Sequence, residues 1–73
     1  LAHQFTELYG QSPIAYLTTV RISAAKDLLT TTSYSIEEIA SSTGFSSSSY
    51  FSQTFQKICH ISPQQYRKAH AEI

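Results

Sequence analysis

The chain has 73 residues, five basic and five acidic side chains, and a single cysteine, Cys59. That length allows one small domain with a thin core, and one cysteine excludes an internal disulfide, which fits a reducing compartment such as the cytoplasm. Zero formal charge gives no prior for nucleic acid, and no apolar run approaches the roughly 18 residues of a membrane helix.

In chain order, Leu1, Phe5 and Leu8 fall at helical spacing and form the apolar face of a first helix. Residues 12–30, SPIAYLTTVRISAAKDLLT, predict a long second helix. Ser12 suits the N-cap and Pro13 the first turn. Ile14, Leu17, Val20, Ala24 and Leu28 form one stripe, and Ile22, Ala25 and Leu29 a second beside it. Such a broad apolar arc predicts a helix packed on two sides. Thr30 to Ser33 are poor helix formers and mark its end. Next, Ser35 and Glu38 have capping-box spacing, with Ile36, Ile39 and Ala40 facing inward. Gly44 then demands a turn. A short capped helix, a glycine turn and another helix make a helix-turn-helix candidate.

The run after Gly44, FSSSSYFSQTF, looks like low-complexity linker. Phe51, Phe55 and Ile58 nevertheless share one helical face, and Ser49, Gln53 and Gln56 lie opposite. Three large apolar residues in helical register predict a folded amphipathic helix, capped by Ser46 or Ser47. Cys59, beside Ile58, is placed in the core. Strand-type alternation is absent, so the chain is expected to be all-α.

Residues 1–16 and 51–66 align at an offset of 50. Phe5 matches Phe55, Ser12 matches Ser62, Pro13 matches Pro63 and Tyr16 matches Tyr66. Each copy is a helix, a break, then Ser-Pro opening another helix. A unit present twice, with its first copy cut, implies a chain that starts inside the last helix of a first helix-turn-helix.

Read together, Tyr16-Leu17, Arg21-Ile22, Ala25, Leu28-Leu29, Ile36, Ile39-Ala40, Gly44-Phe45, Tyr50-Phe51, Phe55, Ser62-Pro63 and Tyr66-Arg67 give the chain its resemblance. At this spacing it resembles the DNA-binding domain of AraC-type bacterial transcription regulators. The resemblance implies two homeodomain-like helix-turn-helix units joined by a long linker helix. Residues 1–11 would end an incomplete first unit, 12–32 form the linker, and 33–73 hold the second unit and a C-terminal helix. Each unit would place a recognition helix in the major groove of double-stranded DNA. The base readers implied are Ser48, Ser49, Ser52 and Gln53, with Ala2 and His3 left from the first unit. Gln53 can bond an adenine edge twice, and serine hydroxyls either base type. Short serines would let the helix backbone approach the DNA. Phosphate contacts are expected from Arg21, Lys26, Lys57, Arg67 and Lys68, and from helix N-termini, including Ser46 and Ser47. Arg21, flanked by Val20 and Ile22, has a structural alternative as a bridge between helices. Pro13 to Leu29 gives about 25 Å of helix, which with flanking turns matches the roughly 34 Å between major grooves on one DNA face.

Other chemistry is poorly supported. Cys59 and His60 lack a third group to make a catalytic set. His3, His60 and His70 lack metal-ligand spacing, and there is no phosphate-binding glycine loop. No enzyme activity, cofactor or metal is therefore expected. The alternative is a helical protein-interaction module that meets the transcription machinery, such as an RNA polymerase subunit. Polar Ser and Gln faces favour DNA over it, since protein interfaces favour aromatic and Arg anchors. In the family, sensing and dimerisation reside in a separate domain.

Overall fold

The computed structural model describes Gly10 and residues 12–71, so the expectations for Leu1, Ala2, His3, Phe5 and Leu8 lie outside the described residues. Among those described there are four helices and no strand: α1 (Pro13–Thr31), α2 (Ile36–Ser42), α3 (Ser48–Cys59) and α4 (Pro63–Ala69).

Local chemistry sets each boundary. Ser12 caps α1 by accepting the Ala15 N–H at 3.2 Å, with Pro13 at the first helical position. The nineteen residues of α1 span about 28 Å. It ends where the Thr32 hydroxyl and N–H both donate to the Leu28 carbonyl, at 2.6 and 3.1 Å. That local alternative to helical pairing is what makes threonine a poor continuer. α2 opens on the expected capping box: Ser35 accepts from the Glu38 N–H at 3.0 Å, and the Glu38 carboxylate accepts from the Ser35 N–H at 2.8 Å. Gly44, at φ +90°, makes the turn that lets the Phe45 N–H reach back to Ala40 O at 2.9 Å. A positive φ there favours glycine, which has no Cβ to clash. A second capping box opens α4, with Ser62 as N-cap and Gln65 in place of the glutamate.

The core gathers Ile22, Ala25 and Leu29 of α1, Ile39 and Ala40 of α2, Phe45 of the turn, and Phe51 and Phe55 of α3. Aromatic rings touch in series from Tyr50 through Phe45, Phe51, Phe55 and Tyr66 to His70, at centroid separations of 5.8, 5.2, 5.8, 5.5 and 4.1 Å.

Two packing expectations are corrected. Ile58 is 40% exposed and outside the core, and Cys59 packs against the core instead. The buried stripe of α3 advances by fours, through Phe51, Phe55 and Cys59, because residues four apart stack along a helix face. The first α1 stripe is not covered on its N-terminal side either. Ile14, Leu17 and Val20 are exposed, since α2 and α4 pack against Ile22, Ala25 and Leu29 further along.

Candidate nucleic-acid interface

Burial of Phe51 and Phe55 fixes the rotation of α3. At about 100° per residue, Ser49 and Gln53 fall on the side opposite Phe51 and form an outward crest. Ser48 and Ser52 lie on one flank, Tyr50, Thr54 and Lys57 on the other. Each flank borders a depression. The α2-side trough is lined by Ser48, Ser49, Ser52 and Gln53, together with Glu37 from α2 and Gln64 from α4. On the other side, Tyr50, Gln53, Thr54 and Lys57 face Ala15 and Thr18 of α1. Gln53 borders both troughs.

The four residues expected to read bases from α3 are thus brought together on one surface. Ser49 and Gln53 are exposed, Ser48 and Ser52 half-buried. The serine run divides its work: Ser47 caps α3, accepting the Tyr50 N–H at 3.1 Å, and Ser46 stands exposed before it. Capping leaves the N–H groups of Ser48 and Ser49, which a helix cannot satisfy internally. No acidic residue occupies the first turn of α3, whereas Glu37 and Glu38 occupy that of α2. A helix N-terminus attracts anions, so α3 offers a phosphate the better of the two ends.

The cations divide sharply. Lys57 and Lys68 are exposed. Arg67 is not free: its Nε donates to Leu29 O at 3.1 Å, and its Nη2 to Thr32 O at 3.3 Å and Tyr34 O at 2.8 Å. It ties α4 to the end of α1, where helix carbonyls lack internal partners. Arg21 is half-buried with its guanidinium against Gly44, where an added Cβ would lie 3.0 Å from Nε. The Lys26 ammonium stands 6.0 Å from the Tyr66 ring centroid, at the edge of cation–π range. Ala2 and His3 lie outside the described residues.

Glu37, Gln64 and Tyr50 line the troughs without having been picked out as site residues. Glu37 was expected only through its backbone, at a helix N-terminus near Ser35–Glu37 whose N–H groups could meet a phosphate. Gln64 belongs to a helix whose cap, Ser62-x-x-Gln65, carries the same signature as the α2 capping box and was open to the same reasoning. The 54% exposure of Tyr50 follows from its place one residue before the buried Phe51. No helix among the described residues is long and apolar enough to cross a membrane.

The helix-turn-helix domain family matches residues 1–69. The chain is 38% identical over 68 residues to the HTH-type transcriptional regulator MtrA of Neisseria gonorrhoeae, covering 93% of this chain and 23% of that protein. A solved structure of the DNA-binding domain of AdpA, a global transcriptional factor, in complex with a target DNA superposes with a TM-score of 0.91 at 35% identity, over 94% of this chain and 62% of that one. An AraC-type transcriptional regulator from Chromobacterium violaceum superposes at 0.93 and 35% identity, over 99% of this chain and 64% of that one. The chain therefore spans less than a quarter of the length of MtrA.

Proposed function

The chain belongs to the AraC-type helix-turn-helix family, and on that premise we propose that it is a sequence-specific DNA-binding module of a bacterial transcription regulator. The observation that carries this is the rotation of α3, which turns a ridge of short polar side chains outward with no acid at the helix start. Inserted in a major groove, Ser49 and Gln53 would reach base edges from the crest, and Ser48 and Ser52 from its flank. Phosphates would be met by the N–H groups of Ser48 and Ser49, the Ser46 and Ser47 region, Lys57 and Lys68. Arg67, Arg21 and Lys26 are left to the fold.

The division into residues 1–11, 12–32 and 33–73 belongs to the same proposal. Residues 1–11, with Ala2 and His3, would contribute the first unit's reader to the neighbouring major groove. α1, at about 28 Å, is long enough with its flanking turns to bridge grooves roughly 34 Å apart. In the whole regulator this module would work in the cytoplasm beside a sensing or dimerisation domain, with RNA polymerase subunits as further partners.

The test is binding across duplexes selected from a random pool. Gln53→Ala is expected to weaken the selected site by about 1–3 kcal/mol, the worth of one bidentate base contact, and to relax preference at one base pair. Equal loss on every sequence would show that Gln53 does not read a base. A second reading, a module that meets the transcription machinery by protein contact alone, is favoured by the exposed Ile14, Leu17 and Val20; it requires that the chain bind no duplex even at low salt.

A further inference from the structure

A helix seated in a major groove has a sugar–phosphate strand on each side of it. The groove is about 12 Å wide and a helix with side chains about as broad, so each strand must lie along one flank of α3. The two flanks differ in chemistry. The α2-side trough holds serines, Ile36, Gln64 and the acidic Glu37, and no cation among the described residues. The α1-side trough holds Lys57 and Tyr50, with Ala15 and Ile58 as apolar surface. Lys57 is exposed, and among the described residues it is the one cation lining either trough.

Tyr50 is suited to the same strand. It stands one helical turn before Thr54 and two before Lys57 on that flank. Its side chain is 54% exposed, and its hydroxyl makes no hydrogen bond among the described residues. Its ring is not loose, however: it packs at a tilt of 59° against Phe45, 5.8 Å between centroids, and Phe45 is buried. A phenol held by its ring, on the trough that Lys57 also lines, can donate to a phosphate oxygen of the strand lying there. Resting on the DNA-binding reading above, we propose that Tyr50 is a positioning residue, which donates its hydroxyl to a phosphate of the strand lying in the α1-side trough and so fixes the register of α3 in the groove.

Tyr50→Phe removes the hydroxyl and keeps the ring against Phe45. Binding is measured on the selected site and on unrelated duplexes, over a range of salt. The expected result is a uniform loss of about tenfold on every sequence, the worth of one hydrogen bond to a charged oxygen. The salt slope should stay that of the parent, because a neutral hydroxyl displaces no counterion. Lys57→Gln should also weaken all sequences, but should lower the slope by about one. Unchanged affinity in Tyr50→Phe overturns the proposal. So does a loss confined to one base pair, which makes Tyr50 a reader, or a lowered melting temperature accompanying the loss, which gives the hydroxyl to the fold. A parent chain that binds no duplex fails earlier and overturns the DNA-binding reading itself.

Discussion

Replacing Arg67 with methionine separates a clamp from a DNA contact. The change removes the guanidinium and retains a long apolar stem, so lost packing is kept small. Three bonds go with it, to Leu29 O, Thr32 O and Tyr34 O. A hydrogen bond from a charged donor contributes about 1.5–3 kcal/mol. Leu29 is buried, whereas Thr32 is half-buried and Tyr34 exposed, and their carbonyls can take water once the arginine is gone. Counting the Leu29 bond in full and the others at a fraction gives about 3 kcal/mol of lost stability, or roughly 12–24 °C in Tm for a domain of this size. Urea unfolding followed by far-ultraviolet circular dichroism measures it, with Arg67→Lys expected between parent and Met because an ammonium cannot fork across several carbonyls. A clamping role for Arg67 is refuted if Arg67→Met unfolds within about 0.5 kcal/mol of the parent, the scatter of a neutral surface change, while DNA affinity falls on all sequences and the salt slope drops by about one.

Three other outcomes are expected. Phe55→Ala should cost about 3–5 kcal/mol by emptying the centre of the core, whereas Ile58→Ala, at a half-exposed position, should cost under about 1 kcal/mol; chemical denaturation of the pair checks the corrected face of α3. Gly44→Ala should destabilise by about 1–2 kcal/mol through its positive φ, plus whatever displacing Arg21 adds, and the second part should vanish in an Arg21→Ala background, as a double-mutant cycle would show. His60 closes α3 at φ 69°, so His60→Gly should raise stability by about 0.5–1 kcal/mol, seen as a higher melting temperature; a fall would mean that the histidine ring has a compensating contact.

Features encoded within a few residues were legible. Ser12-Pro13, Ser35-x-x-Glu38 and a serine before Ser48 each announce a helix start, and each caps one. The outward placement of Ser49 and Gln53 followed from Phe51 and Phe55 alone. Ile58 is within about 20° of Phe51 by its spacing of seven, yet it stays out of the core, because the stripe leans toward Cys59 where α3 meets its neighbours. The role of Arg67 had no local signature: its acceptors lie 33 to 38 residues upstream, so a basic residue beside a helix end looked like any solvated charge. Tyr50 is a related case: its exposure beside Phe51 is local, but the α1 residues that share its trough, Ala15 and Thr18, lie 35 and 32 residues upstream.

The inward use of charge bears on how such a module would find its site in a genome. With Arg67 clamped, Arg21 against Gly44 and Lys26 beside Tyr66, only Lys57 and Lys68 of the five cations are exposed. A chromosome offers about 10⁶–10⁹ competing sites, and a strongly basic domain spends most of its time trapped on them. One gripping phosphates with two lysines would leave a wrong sequence quickly and owe its dwell time to matched bases. The same thrift makes a single unit a poor anchor, so pairing two units in tandem restores residence without making either of them adhesive to random sequence.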